Sequence, residues 1–184
     1  MADAKLTSVG KPKIGGAIFR APAGTPLPTD ATTKLNDAFK CLGYCGEDGL
    51  VNAIEKESEE IKAWGGDVVM TPTTSQKDSF SFKLLEILNE EVMKAVYGDK
   101  NVSGTLSTGI TVKVNSEPQA ACSWVVEMLL NEGAVKRIVV PSAGVTEVGE
   151  VVYKDDEAIG YDTTIVATAD SGGQTHYEYI KKGA

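Results

Sequence analysis

The chain has 184 residues, 42% of them hydrophobic and 24% charged, proportions typical of one globular domain with a packed core. Acidic residues outnumber lysine and arginine by 26 to 18, and no segment concentrates basic side chains, which argues against tight binding to a phosphate backbone. No run of about eighteen apolar residues occurs, and the polar N-terminus lacks the apolar core of a signal peptide. We therefore expect neither a membrane span nor secretion.

The chain begins with a segment that lacks periodicity. Residues 1–14 mix charges with glycine and proline and follow neither a helical nor a strand pattern, so we predict an N-terminal arm. The remainder, 15–184, is predicted to form a single domain. Its first strand is expected at 15–20, before a proline-containing loop. Residues 32–42 are compatible with one helical turn at best.

Residues 46–78 are predicted to form a projecting loop or hairpin. The segment is polar, and Gly65-Gly66 separates two strand-like runs, a pattern typical of a tight hairpin turn. The predicted arms are 54–64 and 67–71. Their apolar alternation is too weak to bury a full face within one subunit, so we expect this segment to project from the domain.

A strand and a helix are predicted next. Residues 79–85 alternate, with both phenylalanines and one leucine on one face, the pattern of a half-buried strand. Asn89 is a suitable helix N-cap, and the acidic pair after it favours the positive end of the helix dipole. Gly98 is expected to end this helix.

The rest of the chain is predicted to consist of strands. Turn-forming residues separate the later ones, and the acidic group at 155–157 is interpreted as a hairpin tip. Short antiparallel strands plus one helix predict a mainly β fold, α+β by count: an antiparallel β-sandwich or barrel flanked by one α-helix. Trp124 is expected in its core. The predicted strands are 106–114, 121–130, 135–140, 145–153, 161–169 and 175–180.

We find no motif for catalysis, so the sequence predicts no enzyme. Ser8 and Lys11 have the spacing of a Ser-x-x-Lys nucleophile, but they lie in the arm, where no rigid scaffold holds them. His176, the only histidine, has no nucleophile elbow to accompany it and is interpreted as a surface residue. No cofactor and no metal site are expected, because the cysteines have too few neighbouring ligands. We interpret them as reduced, partly buried thiols: Cys41, Cys45 and Cys122.

Particular residues in the first half of the chain resemble a known family. The order is Leu42-Gly43-Tyr44, Glu47-Asp48-Gly49, a charged run ending in Glu59-Glu60-Ile61-Lys62, and Ala63-Trp64-Gly65-Gly66-Asp67-Val68-Val69. In order and spacing, roughly residues 15–97 resemble the major tail tube proteins of siphophages, which are long-tailed bacteriophages. The Trp-Gly-Gly-Asp segment is the most specific part, and the C-terminal strands match only in general style.

The resemblance implies a structural virion protein. It implies a β-sandwich or barrel with one helix, hexameric rings, and rings that stack into a hollow tail tube through which DNA is ejected. The implied partners are further copies of the chain and the tail tip or baseplate, tape measure and tail terminator proteins. The implied location is the phage tail, with assembly in the host cytoplasm. An acidic balance suits a lumen in which DNA slides without specific binding.

Two sets of residues are predicted to serve this assembly. Alternation shows which residues share a face of a strand but not whether that face lines the lumen, so an outer location stays open for the lumen candidates given below. Candidate contacts between subunits or rings are Glu47, Asp48, Ile54, Ile61, Trp64 and Asp67. Candidate lumen residues are Glu57, Glu59, Asp162, Thr164 and Thr168.

Other classes of protein remain as alternatives. A tube or ring protein of a contractile or type VI-like injection system, or a head-completion protein, shares the expected architecture. A monomeric β-sandwich binding module needs an exposed aromatic platform, to which Trp64 and some tyrosines could contribute. An enzyme comes third because the search for motifs found none.

Overall fold

A computed structural model describes residues 2–182, so the first residue of the predicted arm, Met1, and the last two of the predicted domain, Gly183 and Ala184, lie outside the described residues. The one α-helix of residues 2–182 is α1 (Glu90–Tyr97), and short 3-10 turns occur at Ala4–Leu6, Asp99–Asn101 and Asn131–Gly133. The strands are β1 (Lys11–Pro12), β2 (Ile18–Pro22), β3 (Lys40–Cys41), β4 (Cys45–Ser58), β5 (Ile61–Lys62), β6 (Val68–Met70), β7 (Thr73–Leu84), β8 (Val102–Ser103), β9 (Thr111–Val112), β10 (Cys122–Leu129), β11 (Val135–Val148), β12 (Tyr161–Ala167) and β13 (Tyr177–Lys181).

Most of these strands belong to one antiparallel sheet. Within residues 2–182 it contains nine strands in the order β3-β2-β10-β11-β12-β7-β4, with β1 paired to β10 and β13 paired to β11. The sheet does not close into a barrel, and strand accounts for 43% of the structure against 9% for helix. The predicted mainly β, sandwich-like fold with one helix is confirmed.

The main core lies between the two halves of this sheet. Strands β7 and β12 present Phe80, Phe82 and Ile165 to the buried side of β10, where Trp124 is 1% exposed. The ring centroids of Phe82 and Trp124 are 5.9 Å apart. The predictions of a core Trp124 and of an alternating strand at 79–85 are both confirmed.

Helix α1 covers one side of this core. The side chain of Asn89 accepts a hydrogen bond from the backbone N–H of Glu91, and Gly98 follows the helix with a positive φ of 93° that favours glycine. Val92 and Val96 are buried in the same cluster as Trp124. The helix therefore forms where its cap and its apolar stripe predicted it.

The opposite face of β10 and β11 is buried by the segment before β3. Val125 and Val139 pack there against Phe39, on the other side of the sheet from Trp124. Both faces of these two central strands are consequently covered, which makes them the most enclosed part of the molecule.

A buried ion pair links this covering segment to the sheet. Glu127 on β10 and Arg137 on β11 are cross-strand neighbours, and the Arg137 guanidinium bonds the Glu127 carboxylate. Arg137 also donates to the carbonyls of Asp30, at 2.7 Å, and Thr33, at 2.9 Å. A buried charge without hydrogen-bond partners is costly. The carbonyls of Asp30 and Thr33 are such partners for Arg137, so the ion pair favours a covering segment that lies across it.

Several predicted strand bounds were wrong. The run 135–140 and the first part of the run 145–153 belong to the single strand β11, which ends at Val148 and has a register shift against β10 at Pro141, whereas 149–153 forms no strand. Proline has no backbone N–H to donate to a neighbouring strand, so the strand pattern of the sequence is interrupted at Pro141. The strand nevertheless continues through Pro141, because the pairing with β10 is irregular at this point. The group at 155–157 lies, as expected, in the loop that connects the antiparallel neighbours β11 and β12, although this loop is longer than a tight turn.

Two further predicted strands have other bounds in the structure. Of 106–114, only β9 forms, paired to β8, and the stretch 32–42, for which one helical turn at best was expected, contains none in the structure described. Residues 15–20 form a strand only from Ile18 onward. In each case tertiary pairing, which is absent from local periodicity, decides the bounds.

The predicted arm is attached to the sheet at its end. Lys11 and Pro12 pair with Leu129 and Met128 on β10, and the ammonium group of Lys13 lies 2.5 Å from the Glu127 carboxylate. The last residues of the predicted arm thus add a short strand to the sheet.

Candidate assembly surfaces

Strands β4 and β7 form a ribbon that extends beyond the body of the protein. They pair from Cys45 opposite Leu84 to Ser58 opposite Thr73, and nearly all residues of 54–77 are exposed. We call 54–77 the projecting hairpin. A projecting hairpin was predicted, but its predicted arms, 54–64 and 67–71, were wrong, because the arms are the outer parts of β4 and β7, and β5 and β6 pair only at the tip.

The tip of the projecting hairpin, residues 59–72, carries exposed apolar side chains. Strands β5 and β6 pair there, and the Ala63 N–H donates to the Asp67 carbonyl at 2.8 Å across the turn. Gly65 and Gly66 have φ values of 120° and 99°, which side chains rarely adopt. The exposed apolar residues of this tip are Ile61, Trp64, Val68, Val69 and Met70.

The candidate contact residues fall into two groups. Ile61, Trp64 and Asp67 lie together in the tip, whereas Glu47 and Asp48 lie at an irregular stretch near the start of β4. Ile54 lies between these groups, exposed, in the first arm of the hairpin. The structure thus places all six on one ribbon, two near its base, three in its tip and Ile54 between them, without joining them into one cluster.

The lumen candidates lie partly on a common surface, which we call the polar face. It consists of the alternate residues of β4, β7 and β12 that point away from the main core. Register pairs Asp162 with Lys83 and Thr164 with Ser81, and it pairs Glu57 with Ser75 farther along. Its residues are Val51, Ala53, Glu55, Glu57, Ser75, Lys77, Ser79, Ser81, Lys83, Asp162, Thr164 and Val166.

Hydrogen bonds and ion pairs connect side chains on the polar face. The hydroxyls of Ser81 and Thr164 are 2.8 Å apart, and Lys83 lies 4.0 Å from the Asp162 carboxylate. Lys83 also approaches Glu157, whose carboxyl pKa is lowered chiefly by its hydrogen bond from Lys154. The face is thus polar and of mixed charge around β12, and more acidic toward Glu57.

Two lumen candidates lie outside the polar face. Thr168 follows the last residue of β12, and its backbone N–H donates to the Ser142 carbonyl at 2.8 Å. Glu59 follows β4, where its N–H donates to the Pro72 carbonyl at 3.1 Å. The alternation used to group Thr168 with Asp162 therefore extended one residue beyond the strand.

A polar cluster around one buried carboxylate lies where the projecting hairpin leaves the body. We call it the root cluster, and its centre is Asp78 on β7, whose side chain is completely buried. Its carboxylate accepts from the Asn52 amide at 2.7 Å and the Thr175 hydroxyl at 2.6 Å, and His176 Nδ1 lies 2.5 Å away.

The interpretation of His176 as a surface residue was wrong. Its side chain is only 14% exposed, and its ring meets the edge of Phe80 with centroids 5.3 Å apart. Sequence reasoning missed the root cluster because Asp78 and His176 are distant in the chain. The one signal available in the sequence was the position of Asp78, a carboxylate next to the alternating apolar run 79–85.

The three cysteines of the described chain are separate thiols without a disulfide partner. Cys41, Cys45 and Cys122 are all free, and burial raises the pKa of the Cys45 thiol to about 11. Among residues 2–182, no group of His, Cys, Asp and Glu is arranged to hold a metal ion. No helix in that range is long and apolar enough to cross a membrane.

Comparison with protein families gives a match. A family model described as phage tail tube protein matches residues 12–184, nearly the whole chain. No curated protein matches the chain significantly.

Proposed function

Because the chain belongs to the phage tail tube protein family, we propose that it forms hexameric rings that stack into the tail tube of a siphophage and conduct DNA during ejection. Membership identifies a structural component of the virion tail that self-assembles into a tube. Such proteins are generally not enzymes. Hexameric rings, DNA ejection and a long non-contractile tail are the proposal.

The projecting hairpin is the single observation that most supports stacking. An isolated two-stranded ribbon is marginally stable in water, yet this one exposes Trp64 and several aliphatic side chains at its tip. Burial of those side chains in another copy would stabilise both the ribbon and the contact. We therefore assign Ile54, Ile61, Trp64 and Asp67 to contacts between subunits or rings, and Glu47 and Asp48 to the same surface near the start of β4.

The open edges of the sheet support ring formation. Strand β4 is an outermost strand with 14 residues, and β13 pairs with β11 alone among the described strands. Exposed edges are templates for pairing with another chain. An edge that meets a different edge on the next copy makes a heterologous contact, which closes into a ring or continues as a filament.

The polar face is the proposed lining of the lumen. Its serines and threonines offer no stripe of lysine and arginine that would bind phosphate strongly, and Asp162 and Glu57 add negative charge. DNA repelled by such a wall would slide through it. Thr164 belongs to the same surface, and Glu59 and Thr168 are assigned to the lumen independently of it.

The remaining partners follow from this assignment. A tube of fixed length requires a tail tip or baseplate to begin it, a tape measure protein inside it and a terminator to end it, so we propose these as partners. Assembly is proposed to occur in the host cytoplasm. No specific binding to DNA is part of the proposal.

Electron microscopy of the purified protein tests the proposal. After long incubation at high concentration, or after seeding with tail fragments, we expect rings with six-fold symmetry and hollow tubes. A protein that stays strictly monomeric, or that stops at a two-fold dimer, would overturn it. Tubes found inside a sheath in intact particles would instead assign the chain to a contractile system.

A further inference from the structure

The root cluster fixes a buried carboxylate at the boundary between two very different environments. On β7, Asp78, Ser79 and Phe80 are buried, whereas every residue from Thr73 to Lys77 is exposed. Asp78 is thus the last buried residue before the strand leaves the body. Contacts that fix the position of Asp78 therefore also fix the base of the projecting hairpin.

Three segments of the chain meet at this carboxylate. Asn52 belongs to β4, Asp78 to β7, and Thr175 and His176 to the segment that leads into β13. The Asn52 amide also donates to the Ser79 carbonyl at 3.1 Å, so it bonds two consecutive residues of the opposite strand. Hydrogen bonds to a buried carboxylate are directional and costly to break, so this arrangement restricts the geometry at the base of the hairpin.

A nonpolar junction would not impose the same constraint. Apolar contacts are non-directional, and a two-stranded ribbon held only by them can twist and bend about its base. We propose that the root cluster is a positioning site that sets the direction of the projecting hairpin relative to the body. Asp78 and His176 are its central residues, and they place the tip for contact with the next copy of the chain.

The proposal separates into two measurable parts. The order of the hairpin base is a property of the single subunit and does not depend on tube formation. The effect on assembly rests on the proposed function, because it requires that the tip contact another copy.

Asp78→Asn is the principal test variant, because it keeps the size of the side chain and removes the charge. In hydrogen exchange on the free subunit, we expect the amides of 52–55 and 77–80 to exchange at least about tenfold faster, the effect of losing one strong hydrogen bond. Tube growth at equal protein concentration should slow by at least the same factor. Amides of β10 should change less than those at the hairpin base.

Thr175→Val removes one donor to the carboxylate and keeps the charge. It should give the same pattern with a smaller amplitude, and it is the milder variant to use if Asp78→Asn does not fold. Ser123→Ala is the matched control, because Ser123 on β10 is 1% exposed and donates to the Pro141 carbonyl on β11 at 2.7 Å, outside the root cluster. It should lower overall stability without selectively opening the hairpin base or slowing tube growth.

The outcomes distinguish the two proposals. Uniform loss of protection, with tube growth slowed equally by Ser123→Ala, would reduce the root cluster to ordinary stabilisation and overturn the positioning role. Wild-type protein that forms no tubes would count against the proposed function, while exchange at the hairpin base would still decide whether the cluster orders it. Open hairpin bases with tubes that grow normally would also overturn the role in assembly.

Discussion

Burial controls the chemistry of individual side chains, as at Cys45, a partly buried residue that packs against the main core. Burial, with smaller contributions from Cys41 and Glu86, raises its pKa from 9.0 to about 11. An unfolded thiol loses its proton at lower pH than the folded one. Below the unfolded pKa both states carry the neutral thiol, so the shift does not change the free energy of unfolding. As the pH rises from about 9 to 11, the unfolded chain ionises first, and the free energy of unfolding falls.

The pKa of Cys45 predicts slow alkylation. At about pH 8 the thiolate, which is the reactive form, should be roughly 100-fold rarer than for an ordinary thiol. Iodoacetamide should therefore modify Cys45 about 100-fold more slowly in folded protein than in urea, as followed by peptide mass spectrometry. The denatured chain is its own control, and equal rates in both states would contradict the burial described here.

At the scale of elements, a substitution in the hairpin tip should weaken assembly without changing the stability of the subunit. Trp64 is fully exposed, so Trp64→Ala should change the free energy of unfolding of the subunit by less than about 0.5 kcal/mol. Buried tryptophans often dominate interfaces, so the concentration needed for tube growth should rise at least about tenfold. Sedimentation of tubes over a concentration series measures this change.

Tyr153→Ala is the matched control for the tip. Tyr153 is also a strongly exposed aromatic residue, but it lies in the connection between β11 and β12, outside the projecting hairpin. Its loss should leave tube growth close to that of the wild type. If Trp64→Ala assembles as well as Tyr153→Ala, the tip is not a contact between copies.

At the scale of the whole molecule, the polar face allows a test of the lumen. Asp162→Lys, or Glu57→Lys together with Glu59→Lys, should leave rings intact and slow DNA ejection, because lysines in the channel would bind phosphates. Ejection kinetics of fully assembled particles measure the effect, which should weaken as salt rises.

Two control variants sharpen this test. Asp162→Asn removes the charge near Lys83 without adding a cation, so it separates a disturbed ion pair from an attractive wall. Glu117→Lys makes the same charge change in the exposed segment before β10, outside the polar face. Normal ejection from particles with Asp162→Lys would place Asp162 outside the channel.

Local patterns determined a definite part of this protein. The cap at Asn89 and the stripe behind it predicted α1, and alternation predicted the buried side of 79–85. Trp124 was assigned to the core from the same alternation. These features follow from neighbours within a few residues of one another, and such interactions are present in the sequence as periodicity. The motif around Trp64 likewise led to the family.

Only the tertiary structure decided what these elements do together. The pairing of β4 with β7 turned two short predicted arms into one long ribbon, and the root cluster joined Asp78 to His176 across 98 positions. The common face of Glu57 and Asp162 depends on register through three strands. Register is determined by contacts between distant segments, and a sequence pattern specifies alternation along one strand without naming its neighbour.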